Sequence, residues 1–98
     1  MTPRAVWTPQ ARQDLMNVSC YIGRLEERPS IAAGVIHDIK AKADMYAESP
    51  NLGQHHHLFP EGLQYFRFKR WIVIYQMHPE GIEVMHVIDG SRDLASLF

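Results

Sequence analysis

The sequence predicts an α+β fold: a small antiparallel sheet covered on one face by an α-helical hairpin, in the order β-α-α-β-β-β with a short C-terminal tail. Three observations carry that expectation. Apolar residues recur at helical spacing between Pro9 and Ser49, three runs of strand-like alternation follow one another between Gly62 and Ile88, and a short apolar run, Arg4-Ala5-Val6-Trp7, precedes both. The chain has 98 residues, and a chain of that size buries roughly 60 to 65 % of its unfolded surface, so residues 1–98 are expected to form one domain with one core.

Arg4–Trp7 reads as a brief strand that joins the later sheet. Thr8 can cap the helix that follows, and Pro9 suits its first position because the missing N–H would be unpaired there anyway. Ala11, Leu15, Val18, Ile22 and Leu25 then form one stripe, while Arg12, Asp14, Asn17 and Arg24 fall outside it and read as solvated surface. Pro29 or Ser30 opens a second helix with apolar positions Ala32, Ile36, Ile39, Ala43 and Tyr46, and Val35 beside them. The short connection makes the two helices an antiparallel hairpin. Gly34 lies inside this helix at a cost of about 1 kcal/mol relative to Ala, and close approach of the two helices is the simplest reason for it. Pro50 ends the helix near Ser49.

Residues 50–62, PNLGQHHHLFPEG, carry no sustained period and read as a connecting loop, long for so small a domain. His55, His56 and His57 project in different directions and have no Asp, Glu or Cys nearby in sequence, so a solvated or partly packed loop is favoured over a metal site. In the first strand of the meander Leu63, Tyr65 and Arg67 share one face and Gln64, Phe66 and Phe68 the other. Lys69-Arg70 forms a tight reversal into Trp71–Met77, which is apolar on both faces and therefore central. After a turn at His78–Gly81, strict alternation places Ile82, Val84, His86 and Ile88 on one face and Glu83, Met85 and Val87 on the other. Asp89-Gly90 turns the chain into the tail. Helices on one side alone would leave the other face of this sheet partly open, and an exposed apolar face usually has a partner.

Composition narrows the function. Hydrophobic residues at 46 % and charged residues at 21 % are near the soluble average. A net charge of −1 weighs against a general nucleic-acid binder, although Arg67, Lys69 and Arg70 can form a local positive patch. The single Cys20 excludes an internal disulfide and a Cys-based zinc site and fits a reduced setting. No run approaches the roughly 18 apolar residues of a membrane helix, and the first residues lack the order of a signal peptide, so a cytoplasmic protein without membrane association is expected. No cofactor is implied, since there is no phosphate-cradling glycine loop and no credible metal-ligand cluster.

At GLQYFRFKRWIVIYQM and GIEVMHVIDGSRDL the chain resembles the RelE/ParE superfamily, the toxin halves of bacterial type II toxin–antitoxin modules, also called plasmid stabilisation proteins. The likeness extends to Trp7-Thr8-Pro9-Gln10-Ala11 and the helical hairpin, and so covers almost the whole chain. It implies growth inhibition by the free protein and neutralisation by a cognate, ParD-like antitoxin encoded beside it. The superfamily divides by target: RelE-like members are ribosome-dependent mRNA endoribonucleases, and ParE-like members poison DNA gyrase.

RNA cleavage needs basic and proton-transferring groups converging on one phosphate. RelE-like sequences are similar to one another in using Lys and Arg on the sheet and a Tyr near the C-terminus. Here the position at the start of the IVIY strand, where such sequences tend to carry Arg, is Ile72, and the Tyr position is Phe98. Arg67, Lys69, His86 and Arg92 are what is left as catalytic candidates. These departures favour the ParE-like reading, with Arg67, Lys69, Arg70, Arg92 and Phe98 as candidate target contacts. The apolar helix stripe and the partly open sheet offer Leu15, Val18, Ile22, Tyr65 and Trp71 as antitoxin contacts, for a partner supplying an extended segment and an amphipathic helix. The RelE-like nuclease, acting on ribosome-bound mRNA, and an inactive relic that only binds antitoxin stay open beside it.

Overall fold

The chain runs β1 (Arg4–Trp7), α1 (Pro9–Glu26), α2 (Pro29–Glu48), a 3-10 turn (Pro50–Leu52), β2 (Gln64–Phe68), β3 (Trp71–His78) and β4 (Gly81–Asp89). The computed structural model describes residues 2–26 and 29–91, so the tail readings, Arg92 and Phe98 among them, lie outside the described residues. The expected order of elements is present. The meander β2-β3-β4 is antiparallel, and β1 adds to the far side of β4 in parallel, giving the order β1-β4-β3-β2 and a mixed sheet. The helical hairpin and the meander supply the long crossover that a parallel pair requires.

The helix stripes seat on one face of this sheet. Ala11, Leu15 and Val18 of α1 and Val35, Ile39 and Ala43 of α2 are buried against Phe66, Trp71, Val73, Tyr75, Ile82 and Val84. Tyr46 of α2 stacks flat on Phe66, ring centroids 4.4 Å apart, which ties the second helix to β2. Gly34 takes no part in the hairpin contact: it is exposed, and a Cβ added there would meet nothing within 4 Å.

The far face, expected to be partly open, is covered at its centre. Ile72, Ile74 and Ile88 are 1 %, 0 % and 7 % exposed and pack with Phe59, Leu63 and Tyr65. Three of those six residues come from the 53–63 loop or the strand edge it borders. The loop is pinned in several places. Gln54 and Tyr65 exchange two backbone hydrogen bonds, Gln64 Nε2 donates to the Gly53 carbonyl, and Tyr75 O–H donates to the Pro50 carbonyl. Within the loop His56 stacks on His57 and lies beside Phe59, while its Nδ1 accepts from Leu58 N–H.

Strict alternation in β4 fails at one residue. Ile74 faces His86 across the ladder but Tyr75 faces Val84, so Met85 is an inserted bulge residue. Ile82 and Val84 face the helices as one set; beyond the bulge Val87 takes the helix side and Ile88 the far side. The bulge coincides with the end of β1. Thr8 caps α1 by accepting from Ala11 N–H, donates its hydroxyl to the Met85 carbonyl, and donates its N–H to the Val84 carbonyl.

Candidate functional site

The two-residue reversal between β2 and β3 gathers the basic side chains at one corner. Phe68 pairs with Trp71, so Lys69 and Arg70 alone make the turn, and Lys69 takes a left-handed φ of 54°, uncommon for a residue other than glycine. The corner is joined to the exit of β4: Gly90 N–H donates to the Arg70 carbonyl, and the Arg67 guanidinium lies so close to Gly90 that a Cβ there would sit 2.7 Å from its Nη1. Arg67 and Arg70 therefore border Gly90, and Lys69 stands beside Arg70 in the same reversal.

The three cations differ in what they can offer a partner. Arg70 is committed: it donates to the Tyr21 hydroxyl and to Asp89, and its guanidinium lies over the rings of Tyr21 and Trp71. Asp89 holds the Arg70 pKa above its ordinary value. The Asp89 carboxyl is in turn held below the usual range, chiefly by the Ser91 backbone N–H and further by Arg70 and the Ser91 hydroxyl. This cluster binds α1, the reversal and the β4 exit into one rigid corner. Arg67 and Lys69 are exposed, with Lys69 Nζ 5.7 Å from the Phe68 ring centroid, and these are the cations free to meet a macromolecule.

The catalytic candidates do not converge among the described residues. Arg67 points to the face opposite Phe66 and Phe68, on the strand two places removed from β4, and two strand spacings amount to about 9 to 10 Å. His86 turns toward α1, its Nδ1 3.7 Å from Asp14 Oδ2. Ile72, at the position where an RNA-cutting relative tends to carry Arg, is enclosed between Ile74 and Ile88. Asp14, read from sequence as solvated, is 12 % exposed in its side chain and accepts from Val87 N–H, standing in for the strand partner that β4 loses when β1 ends. Its spacing one position from the apolar stripe was the available signal.

The antitoxin candidates divide by burial. Leu15, Val18 and Trp71 belong to the core, whereas Ile22 and Tyr65 are partly exposed. The edge strands are β2 and β1, and the chain itself takes backbone groups on each: at β1 the Asp44 carboxylate accepts from Ala5 N–H. Gln54 bridges Tyr65 and Lys42 Nζ donates to the Arg67 carbonyl along β2, while Thr8 and Asp14 cover β4 beyond β1. An extended partner segment would have to displace these contacts.

Among the described residues no group of three or more His, Cys, Asp or Glu side chains is placed to hold a metal ion, and no helix is long and apolar enough to cross a membrane.

Residues 5–94 match the family model of the ParE toxin of the type II toxin-antitoxin system, parDE. Among solved structures the chain is similar to a chain of the chromosomal ParDE TA system from P. aeruginosa, with a TM-score of 0.74 and 16 % identity over 90 % of this chain and 96 % of that one; at that identity the likeness concerns the fold. A search of curated proteins gave no match.

Proposed function

Because the chain belongs to the ParE toxin family of type II toxin–antitoxin systems, we propose that it arrests growth in the cytoplasm by poisoning DNA gyrase and is neutralised by a cognate antitoxin encoded beside it. One observation carries the choice of target: Ile72 is sealed in an apolar cluster at the position where a ribosome-dependent nuclease would need a cation. A buried aliphatic side chain can neither stabilise a phosphorane nor be reached by one. Arg67 and His86 stand on strands two places apart, and His86 is turned to Asp14 of α1, which again supports a surface that grips a protein over one that cuts RNA. Arg67, Lys69 and the Arg92 that follows the corner are the contacts this reading assigns to gyrase.

The test is to induce the chain in a host lacking the antitoxin and to score two products: linear DNA trapped on gyrase, and mRNA cleaved on the ribosome. Trapped DNA without ribosomal cleavage is expected, and the reverse would replace gyrase with the ribosome. Neither product, in a chain that folds and still binds its antitoxin, would indicate an inactive copy. Arg92→Ala should relieve toxicity with an unchanged melting curve, since a guanidinium makes bidentate contacts that no small side chain replaces; undiminished toxicity would remove Arg92 from the target surface.

A further inference from the structure

The loop that helps to close the far face is held by a histidine. His56 Nδ1 accepts from Leu58 N–H at 3.1 Å, and the His56 carbonyl accepts from Phe59 N–H at 3.0 Å, so residues 56–59 form one tight turn. At the end of that turn Phe59 packs with Ile72, Ile74 and Ile88. The half-buried His56 ring belongs to the same packing: its centroid lies 5.0 Å from that of Phe59 and 6.4 Å from that of Tyr65, and it stacks on His57 at 4.7 Å. The groups facing it that can change charge are the His57 imidazole within the loop and the Tyr65 phenol of β2, whose hydroxyl donates to Gln54 Oε1. Among the described residues no ion pair includes His56, so no carboxylate offsets a positive charge there. An imidazole nitrogen accepts a hydrogen bond only while it carries no proton. With Nδ1 as acceptor the neutral ring keeps its proton on Nε2, and a second proton can go only to Nδ1.

We propose that His56 is an acid-sensitive latch, whose protonation releases the 56–59 turn and lifts Phe59 from Ile72, Ile74 and Ile88. Two effects act in the same direction. The added proton turns Nδ1 from an acceptor into a donor, which removes the bond and sets two donors against each other. Imidazole is also the side chain whose charge changes between about pH 5 and 8. A charge on His56 therefore meets the stacked His57 ring as that ring too becomes charged, and like charges repel. The release is local, because the other anchors of the loop do not titrate in that range. They are the Gln54–Tyr65 backbone pair, the Gln64 amide on the Gly53 carbonyl, and the Tyr75 hydroxyl on the Pro50 carbonyl, whose phenol is pushed up to about 12. At neutral pH the chain holds Phe59 on the far face of the sheet, and in acid it gives up that cover. The inference does not depend on the target proposed above.

NMR spectroscopy of the full chain at about pH 7.5 and about pH 5 tests this. One readout is the protection factor of the Leu58 amide, which corrects for the intrinsic pH dependence of exchange. The other is the set of Overhauser contacts between the Phe59 ring and the methyl groups of Ile72 and Ile74. In acid the Leu58 protection should fall about tenfold or more and the contacts should fade, because each pH unit below the imidazole value favours the protonated, open form by about a further tenfold. His56→Asn keeps an oxygen that can accept from the N–H two residues on but carries no titrating group, and should hold both readouts constant. His56→Ala should show the open loop at either pH. His78 accepts from Glu80 N–H in the same way at another turn, so His78→Asn should leave the response of the loop as in wild type. The Val73 and Tyr75 amides of the central strand β3 should keep their protection at the lower pH; its loss together with that of Leu58 would mean global unfolding and overturn the latch. An unchanged wild type, a His56→Asn chain that opens as wild type does, a His56→Ala chain that stays closed at neutral pH, or a loop response abolished by His78→Asn overturns it equally.

Discussion

Replacing Gly53 by alanine isolates what holds the loop against the sheet. Gly53 has φ −66° and ψ 156°, a conformation any residue adopts, so it is glycine for space and not for backbone freedom. A Cβ there would lie 1.9 Å from the Tyr75 hydroxyl and 2.6 Å from its Cζ. Tyr75 cannot retreat easily: it is fully buried, Tyr46 and Phe66 flank its ring at 6.0 and 6.2 Å, and its hydroxyl donates to the Pro50 carbonyl at 2.6 Å. Burial pushes the phenol up to about 12, so it remains a neutral donor throughout the ordinary pH range. Overpacking costs about 1–3 kcal/mol, and breaking the buried hydrogen bond adds about 1–3 kcal/mol, for roughly 2–6 kcal/mol against a total stability of about 5–15 kcal/mol.

Urea unfolding of the full chain measures this. Tyr75→Phe alone should cost about 1–2 kcal/mol, because it removes the donor and leaves the Pro50 carbonyl unpaired. The hydroxyl is the worst of the clashes, so Gly53→Ala should cost less in the Tyr75→Phe background, with a coupling of about 1 kcal/mol or more. The reasoning is refuted if Gly53→Ala lies within about 0.5 kcal/mol of wild type, the range of an inconsequential surface change. An equal cost on both backgrounds refutes it too.

The order of elements was legible because each rests on a local period. Thr8-Pro9 marks the start of α1 by capping chemistry, and the alternation of Gln64 to Phe68 survives intact, with Phe66 and Phe68 toward the helices. What was not legible depends on contacts distant in sequence. The parallel placement of β1 against β4 joins residues nearly eighty positions apart, and no periodicity encodes direction across such a gap. The Met85 bulge is invisible in the string Ile82–Ile88, where alternation is chemically acceptable in either phase; what sets it is the end of β1 and the hydroxyl of Thr8 reaching the Met85 carbonyl. The loop reads as aperiodic, yet its Phe59 helps to close the far face. The basic corner was legible as a cluster of charges. That Arg70 is held by Tyr21 and Asp89 while Arg67 and Lys69 stay exposed was not, since Tyr21 lies forty-nine residues away.

Gly34→Ala should stabilise the chain by about 0.5–1 kcal/mol in urea unfolding, because α2 gains helix propensity and the added methyl meets open space; a loss would mean that the glycine serves a contact not made by the helix alone. Asp14→Ala strips the acceptor from Val87 N–H at the point where β1 ends, and should cost about 1–3 kcal/mol while accelerating hydrogen exchange at the Val87 amide; unchanged exchange there would refute that role. The corner has a pH signature of defined sign. The Asp89 carboxyl is held below its unfolded value by Ser91 N–H and Arg70, so the stability it contributes is fully present above the unfolded pKa of about 3.9 and is lost as pH falls through the lower folded value. Asp89→Asn should therefore melt below wild type at neutral pH, with the gap closing in acid as the native carboxyl takes up its proton. Melting temperatures of both proteins between about pH 2 and 7 decide it, for a gap that stays constant across that range would mean that Asp89 acts by shape and not by charge.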